Sequence, residues 1–390
     1  MTGGSVTTSR ERIRSGRPFF PEEDMEPLLS DIRKALTEGR LRNGQNLRMF
    51  ERAAAEYVGL LDAVAFDSDG SALETVLRHY GVEGREVIVC TNSFVSIPNS
   101  VIYAGGRVVF ADIKEESLSM DPRSLLENIS DETCGVIVTH IAGFPNPDLT
   151  ELTKICAEHD LFLIEDATHA LGAAIDGRKV GTFGDAAILA FTPTKVLTTG
   201  EGGMLATNDA QLIEEARQLR YYGAGKGKTN FVSLGRHMML PEISAILGVY
   251  QLRRVEEFIA RRNQIAGHYN QSFRDMGSVS VVECRAGDRA SYYKYPLILS
   301  ERSDREEVAE LLDTRYGVET GTVFYPPCHM QPVYQRLKDR VRIGNLAVSE
   351  RVLSRTIALP IHAAMKEEDA RYVVDSVSSV LNSLGSREVP

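Results

Sequence analysis

The sequence contains no tryptophan, and its five cysteines (Cys90, Cys134, Cys156, Cys284, Cys328) are scattered, odd in number and never spaced C-x-x-C. That excludes a disulfide framework or a zinc ribbon and fits a reducing compartment. Basic charge is in deficit. Lys+Arg number 44 against 54 Asp+Glu, a formal net charge of -10, which argues against nucleic acid or an anionic membrane as a partner, because both require basic patches. No apolar run is long enough to span a bilayer, and the opening MTGGSVTTSRERIRSGRPFF carries no apolar core of a signal peptide. The expected location is therefore the cytoplasm, with residues 1–18 a mobile arm. Internal repeats, low-complexity segments and clusters with metal-ligand spacing are also missing.

What is present is an alternation. At 390 residues and 43.1 kDa the chain is long for one core, so a large domain and a smaller one are expected. Seven short apolar runs read as strands: DAVAF (62–66), EVIVC (86–90), RVVFAD (107–112), CGVIVTH (134–140), LFLIED (161–166), AAILAF (186–191) and GMLATN (203–208). Between most of the early ones lie helix-length segments such as SALETVLRHYG, SVIYAGG and PDLTELTKICAEHD. Continuous apolar strands separated by helices predict an α/β fold with a mostly parallel seven-stranded sheet covered on both faces. A long helical stretch from Leu240 to Phe273 closes this large domain (19–276). Beyond it, VSVVE, YYKYPLIL and VETGTVF alternate with DREEVAELLDTRYG and EEDARYVVDSVSSVLNSL, which predicts a small α+β domain over 277–390.

One motif is a decoy. GAGKGKT (223–229) resembles a phosphate loop, but Tyr222 stands where a Walker A glycine belongs, and the preceding QLIEEARQLRYYG is helical rather than a strand. Gly223 reads as a helix C-cap and the lysines as solvated loop charge.

Chemistry collects at strand ends, where open α/β sheets bind ligands. After 62–66, DSDGSALE opens a helix, with Ser71 and Glu74 spaced as a capping box. A helix N-terminus there suits a phosphate, or is plain capping; Asp67 and Asp69 oppose an anion unless their side chains turn away. Strand 161–166 ends in Glu165-Asp166, followed by His169. Asp166 reads as a helix cap, a metal ligand, or an acid that keeps a pyridine nitrogen protonated. Lys195 follows 186–191 in AFTPTKVLTTGEGGM, an apolar strand, one lysine, then a glycine turn. Cradle, acid and lysine on successive strand ends suit pyridoxal 5'-phosphate.

From roughly Phe20 to Leu384 the chain resembles the DegT/StrS-type sugar aminotransferases. GRLRNGQNLRMFE (39–51), EVIVCTNSFVSIPNSVIYAGGRVVFADI, EDATHALGA, VGTFGDAAILAFTPTK, TTGEGGML, HMQPVY (329–334) and ALPIH (358–362) carry the likeness. The resemblance implies the aspartate-aminotransferase fold (fold type I of pyridoxal-phosphate enzymes). It makes Lys195 the Schiff-base lysine, Asp166 the partner of the pyridine nitrogen, Phe94 the aromatic over the ring, and His169 a neighbour of the ring hydroxyl. Gly70 and Ser71 then line the phosphate cradle. It further implies a homodimer with active sites at the interface, an amino acid donor such as glutamate or glutamine, and a keto-sugar acceptor, nucleotide-linked. Retention of Lys195 separates the chain from family dehydratases, which carry histidine there.

Three positions depart from the family pattern. Ala190 replaces a serine on the cofactor phosphate, Ser68-Asp69-Gly70 or Gly70-Ser71 replaces Ser-Gly-Thr, and His237 and Met239 replace a partner-subunit asparagine and arginine. A protonated His237 compensates by pairing with the phosphate, or the anchoring is weaker. Besides transamination, another pyridoxal-phosphate reaction and a non-catalytic role remain open on sequence alone.

Overall fold

The computed structural model describes residues 11–225, 227 and 229–385. Its strands, in chain order, are β1 (Asp62–Phe66), β2 (Glu86–Cys90), β3 (Arg107–Ala111), β4 (Thr133–Thr139), β5 (Phe162–Asp166), β6 (Ala174–Ile175), β7 (Arg178–Lys179), β8 (Ala186–Ala190), β9 (Gly203–Thr207), β10 (Val279–Val281), β11 (Tyr295–Leu299), β12 (Val341–Ile343) and β13 (Thr356–Leu359). The main sheet runs β1-β9-β8-β5-β4-β2-β3-β12. Every neighbouring pair is parallel except those involving β9, which is antiparallel to both β1 and β8. Each of the seven expected strands is present within a residue of its expected ends. Continuous burial of Val64 to Phe66, Val87 to Cys90 and Ala186 to Ala190 explains why they read as unbroken apolar runs.

The sheet has an eighth strand. β12 pairs Val341 with Val108, and its Arg342 bonds Glu86. It sits at an edge, half in water, so it lacks the apolar signature that betrays the inner strands. The chain after Gly277 thus returns to the large sheet. It also builds a second sheet, β10-β11-β13, antiparallel throughout. The expected third strand there, VETGTVF, makes only isolated bridges, Val318 with Ile13 and Gly321 with Ala358. Its place is taken by β13, whose last two residues open the ALPIH segment. One apolar cluster runs from Ile88, Val109 and Val136 to Tyr295, Leu312 and Val377, so the two sheets share a continuous core.

Local chemistry explains the family-like N-terminal segment. The Glu242 carboxylate accepts from the amides of Gly44 (2.9 Å), Asn46 (2.7 Å) and Leu47 (3.4 Å), capping helix Gln45–Val58 from across the chain. A Cβ on Gly44 would lie 2.5 Å from that carboxylate. The helical stretch expected over 240–273 is two helices, Glu242–Arg253 and Val255–Phe273, meeting at Arg254. Ile13, expected in a mobile arm, is buried and paired: its amide donates to Gly317 O (2.9 Å) and its carbonyl accepts from Glu319 (3.0 Å). Of that expectation, residues 1–10 lie outside the described residues, as do Lys226 and Lys228 of the decoy loop. Gly223 is no helix C-cap. Helix Ala210–Leu219 ends at Arg220, and Gly223 opens a hairpin, where φ is 75° and a Cβ would strike the Ser233 carbonyl at 1.8 Å. Among the described residues no helix is long and apolar enough to cross a membrane.

Candidate active site

The site lies at the carboxyl ends of β1, β5 and β8. Helix Asp69–His79 starts directly after β1, and its cap is Ser68, three residues before the expected Ser71: Ser68 Oγ accepts from the Ser71 amide at 3.1 Å. Glu74 instead bonds Arg78 and Arg236. Asp69, Gly70 and Ser71 therefore form the first helical turn. Among the described residues the amides of Asp69 and Gly70 have no hydrogen-bond partner, which is the usual chemistry of an anion-binding helix end. A Cβ on Gly70 would meet nothing closer than Ser100 Oγ at 3.7 Å, so the fold itself does not demand glycine there. The glycine turn after Lys195 serves this same helix end. A side chain on Gly203 would come within 2.2 Å of the Asp69 amide nitrogen, so only glycine lets β9 lie against the opening turn.

Lys195 rides a short loop pinned at its base. Phe191 O accepts from Thr199 N and Thr198 Oγ1, both at 3.0 Å, and the Lys195 amide donates to Thr192 O at 3.1 Å. Burial lowers the Lys195 ammonium to about 8, against the opposing pull of the Asp69 and Asp166 carboxylates. At pH 7 about one amine in ten is then unprotonated, far more than for an exposed lysine. Asp166 is 2% exposed. It accepts from Thr139 Oγ1 (3.0 Å) and the Thr168 amide (3.1 Å), one bond to each oxygen, which leaves acceptor capacity on both. Burial pushes its carboxyl up despite these donors and Lys195.

His169, 3% exposed, accepts from the Ala142 amide through Nδ1 at 3.2 Å. Burial and the charges of Lys195 and Lys294 hold it well below its ordinary pKa, so it is neutral, with the proton assigned to Nε2. Its ring packs between Tyr293 (4.3 Å) and Phe324 (5.2 Å), and Phe324 meets Phe94 at 5.7 Å. Lys195 Nζ lies 4.7 Å from the Tyr293 ring. Ala142 (φ 56°), Tyr292 (φ 47°) and Phe324 (φ 55°) all hold left-handed backbone, strain that clusters at functional sites. The structure thus brings Lys195, Asp166, His169 and Phe94 into one neighbourhood. Tyr293, Lys294 and Phe324 were missed by the sequence reading; a lysine inside the aromatic run YYKY was the available signal.

The profile of the DegT/DnrJ/EryC1/StrS aminotransferase family matches residues 22–378. The chain belongs to that family. This aminotransferase is 32% identical over 343 residues to the GDP-perosamine synthase of Caulobacter vibrioides, covering 87% of the chain and 91% of that protein. It is 30% identical over 379 residues to the spore coat polysaccharide biosynthesis protein SpsC of Bacillus subtilis, covering 93% and 96%. The crystal structure of the aminotransferase TlmJ from Streptoalloteichus hindustanus superposes with a TM-score of 0.88 at 31% identity, covering 96% of this chain and all of that one.

Aminotransferases of this family use pyridoxal 5'-phosphate, and the residues present fit that group. Asp166 is a buried acid with unused acceptor capacity, Lys195 an amine near its neutral form, and the free amides of Asp69 and Gly70 an anion cradle. Against the anion stand the Asp69 carboxylate, held by Ser96 Oγ at 2.9 Å, and Ala190, buried without a donor. His237 is not in this cluster. It is exposed, in a hairpin whose Tyr221 it bridges, with its ring 5.6 Å from Tyr222.

Proposed function

We propose that this aminotransferase moves an amino group from an amino acid, glutamate or glutamine, onto a nucleotide-linked keto-sugar, with Lys195 and Asp166 as its working pair. The observation that carries this reading is the convergence of a buried acid and a lysine lowered to about 8 at adjacent strand ends. When bound, the cofactor supplies an electrophilic carbonyl and an electron-withdrawing ring. Lys195 would hold the cofactor through its Nζ, and, once displaced by the donor's nitrogen, the same Nζ would accept the donor α-carbon's proton and later give that proton up again as an acid. Asp166 would hold a protonated ring nitrogen. Neutral His169 would offer its Nε2–H to an oxygen of the group, and Phe94 would pack against its ring. Gly70 and Ser71, in the first turn of helix Asp69–His79, line the phosphate cradle.

The nucleotide-linked acceptor follows from GDP-perosamine synthase, whose name specifies a nucleotide-linked amino sugar. A homodimer belongs to the same reading. The hairpin that carries His237 exposes Tyr222 (51%), Phe231 (57%), Val232 (56%) and Leu234 (91%), apolar surface that a second subunit would cover, and His237 would then reach the partner's phosphate. A cytoplasmic location suits the five free cysteines. The test is a visible spectrum of the purified protein with cofactor, with and without glutamate and glutamine. The reading expects an absorbance band that borohydride fixes covalently to Lys195 and that bleaches on adding donor; a band indifferent to every amino acid refutes it.

A further inference from the structure

Lys294 sits immediately before β11 and faces the site already described. Its amide donates to Ala142 O at 3.0 Å and its Nζ to Thr322 O at 2.6 Å. The ammonium lies 5.6 Å from the Tyr293 ring centroid and 5.3 Å from that of Phe324. Lys195 Nζ approaches the same Tyr293 ring at 4.7 Å, so the two amines share one wall of the cleft. Among the described residues no carboxylate pairs with Lys294. One neutral carbonyl satisfies one of its three donors. An ammonium in an aromatic, partly buried setting with a single neutral acceptor is electrostatically incomplete. Neutral His169 cannot supply the missing charge, and Asp166, bonded to Thr139 and Thr168, forms no ion pair with Lys294 among the described residues.

We infer that Lys294 binds the α-carboxylate of the amino donor, and so acts as the residue that selects amino acids over simple amines. This rests on the transaminase reading above. The placement follows from covalent geometry. A donor whose nitrogen takes over the position of Lys195 Nζ carries its carboxylate oxygens about 3 Å from that nitrogen, and Lys294, whose ammonium approaches the same Tyr293 ring, is near enough to feel a charge at that position. The other anions belong elsewhere. The cofactor phosphate has the amides of Asp69 and Gly70, and a nucleotide diphosphate is separated from the reacting sugar carbon by at least the width of a sugar ring.

The experiment separates the two half-reactions. Lys294→Met and Lys294→Arg, each loaded with pyridoxal 5'-phosphate, are titrated with L-glutamate and with the amino alcohol in which only its α-carboxylate is reduced. The bleaching of the visible band is followed. Loss of one charge-assisted contact raises the glutamate concentration for half-maximal bleaching by about 10- to 100-fold in Lys294→Met. The amino alcohol shifts by less than about twofold on the same scale, Lys294→Arg recovers part of the loss, and cofactor affinity is unchanged. In the reverse half-reaction, a GDP-linked 4-keto-6-deoxy sugar added to the aminated form reacts as in the parent. Equal weakening of glutamate and the amino alcohol overturns the proposal, as does a defect confined to the nucleotide-sugar half. A parent protein that binds cofactor yet bleaches with no amino acid overturns the underlying reading itself, and the parent alone shows it.

Discussion

Replacing Asp166 by asparagine tests the core of the site with little disturbance of its frame. The amide oxygen still accepts from the Thr168 amide, now at 3.1 Å, and the new NH2 donates to Thr139 Oγ1, now at 3.0 Å, because a threonine hydroxyl rotates to accept. What disappears is a negative charge that burial makes costly, since its carboxyl is pushed up even with two donors and Lys195 nearby. The apoprotein should therefore keep its melting temperature or gain slightly. Holding a protonated ring nitrogen loses one charge-assisted bond, about 1.5–3 kcal/mol, so cofactor affinity should fall by about 10- to 150-fold. Single-turnover bleaching with glutamate should fall further, because an unprotonated ring is a poor electron sink. Removal of this carboxylate should also move the Lys195 ammonium lower still, so that covalent attachment of the cofactor proceeds at more acidic pH than in the parent. Cofactor titration by absorbance at several pH values reads the affinity and the pH of attachment, and bleaching with glutamate under single-turnover conditions reads the chemistry. Parental affinity together with a near-parental single-turnover rate in Asp166→Asn would show that the acid is structural.

Covalent cofactor attachment in the parent should speed up with rising pH and level off above about 8, because only the neutral Lys195 amine attacks a carbonyl; a rate still climbing at pH 10 would contradict the burial account. His362 is held at about 4 by burial and by Arg262 and Arg17, while the unfolded chain protonates near 6.5, so the unfolded state takes up the proton first as pH falls. Stability should be full above pH 6.5 and decline towards pH 4 by about 3 kcal/mol, and His362→Gln should flatten that part of a denaturation series against pH. Ala190→Ser should restore a phosphate donor and tighten cofactor binding by about tenfold, measured by equilibrium titration. His237→Ala should weaken cofactor binding in the same titration; parental affinity would assign His237 to the sugar instead.

The sequence by itself determined the large sheet, because strands buried on both faces must be apolar at every position, and β1, β2 and β8 are legible as unbroken runs for that reason. It also determined Lys195 and Asp166 as candidates, since strand ends are where local periodicity stops and chemistry begins. Other features depended on packing between distant segments, which no window of residues records. β12 is a half-exposed edge strand that takes its order from β3, about 230 residues earlier, in register at Val108 and Val341. The close approach of β9 to the helix opened by Ser68 depends on Gly203, since a side chain there would strike the Asp69 amide. Most of all, the wall of Tyr293, Lys294 and Phe324 exists because the turn at Ala142 and Gly143 clasps the segment before β11, through Ser291 N to Gly143 O at 2.8 Å and Lys294 N to Ala142 O at 3.0 Å. Those contacts join residues about 150 positions apart, and only the tertiary structure could place a second amine beside Lys195.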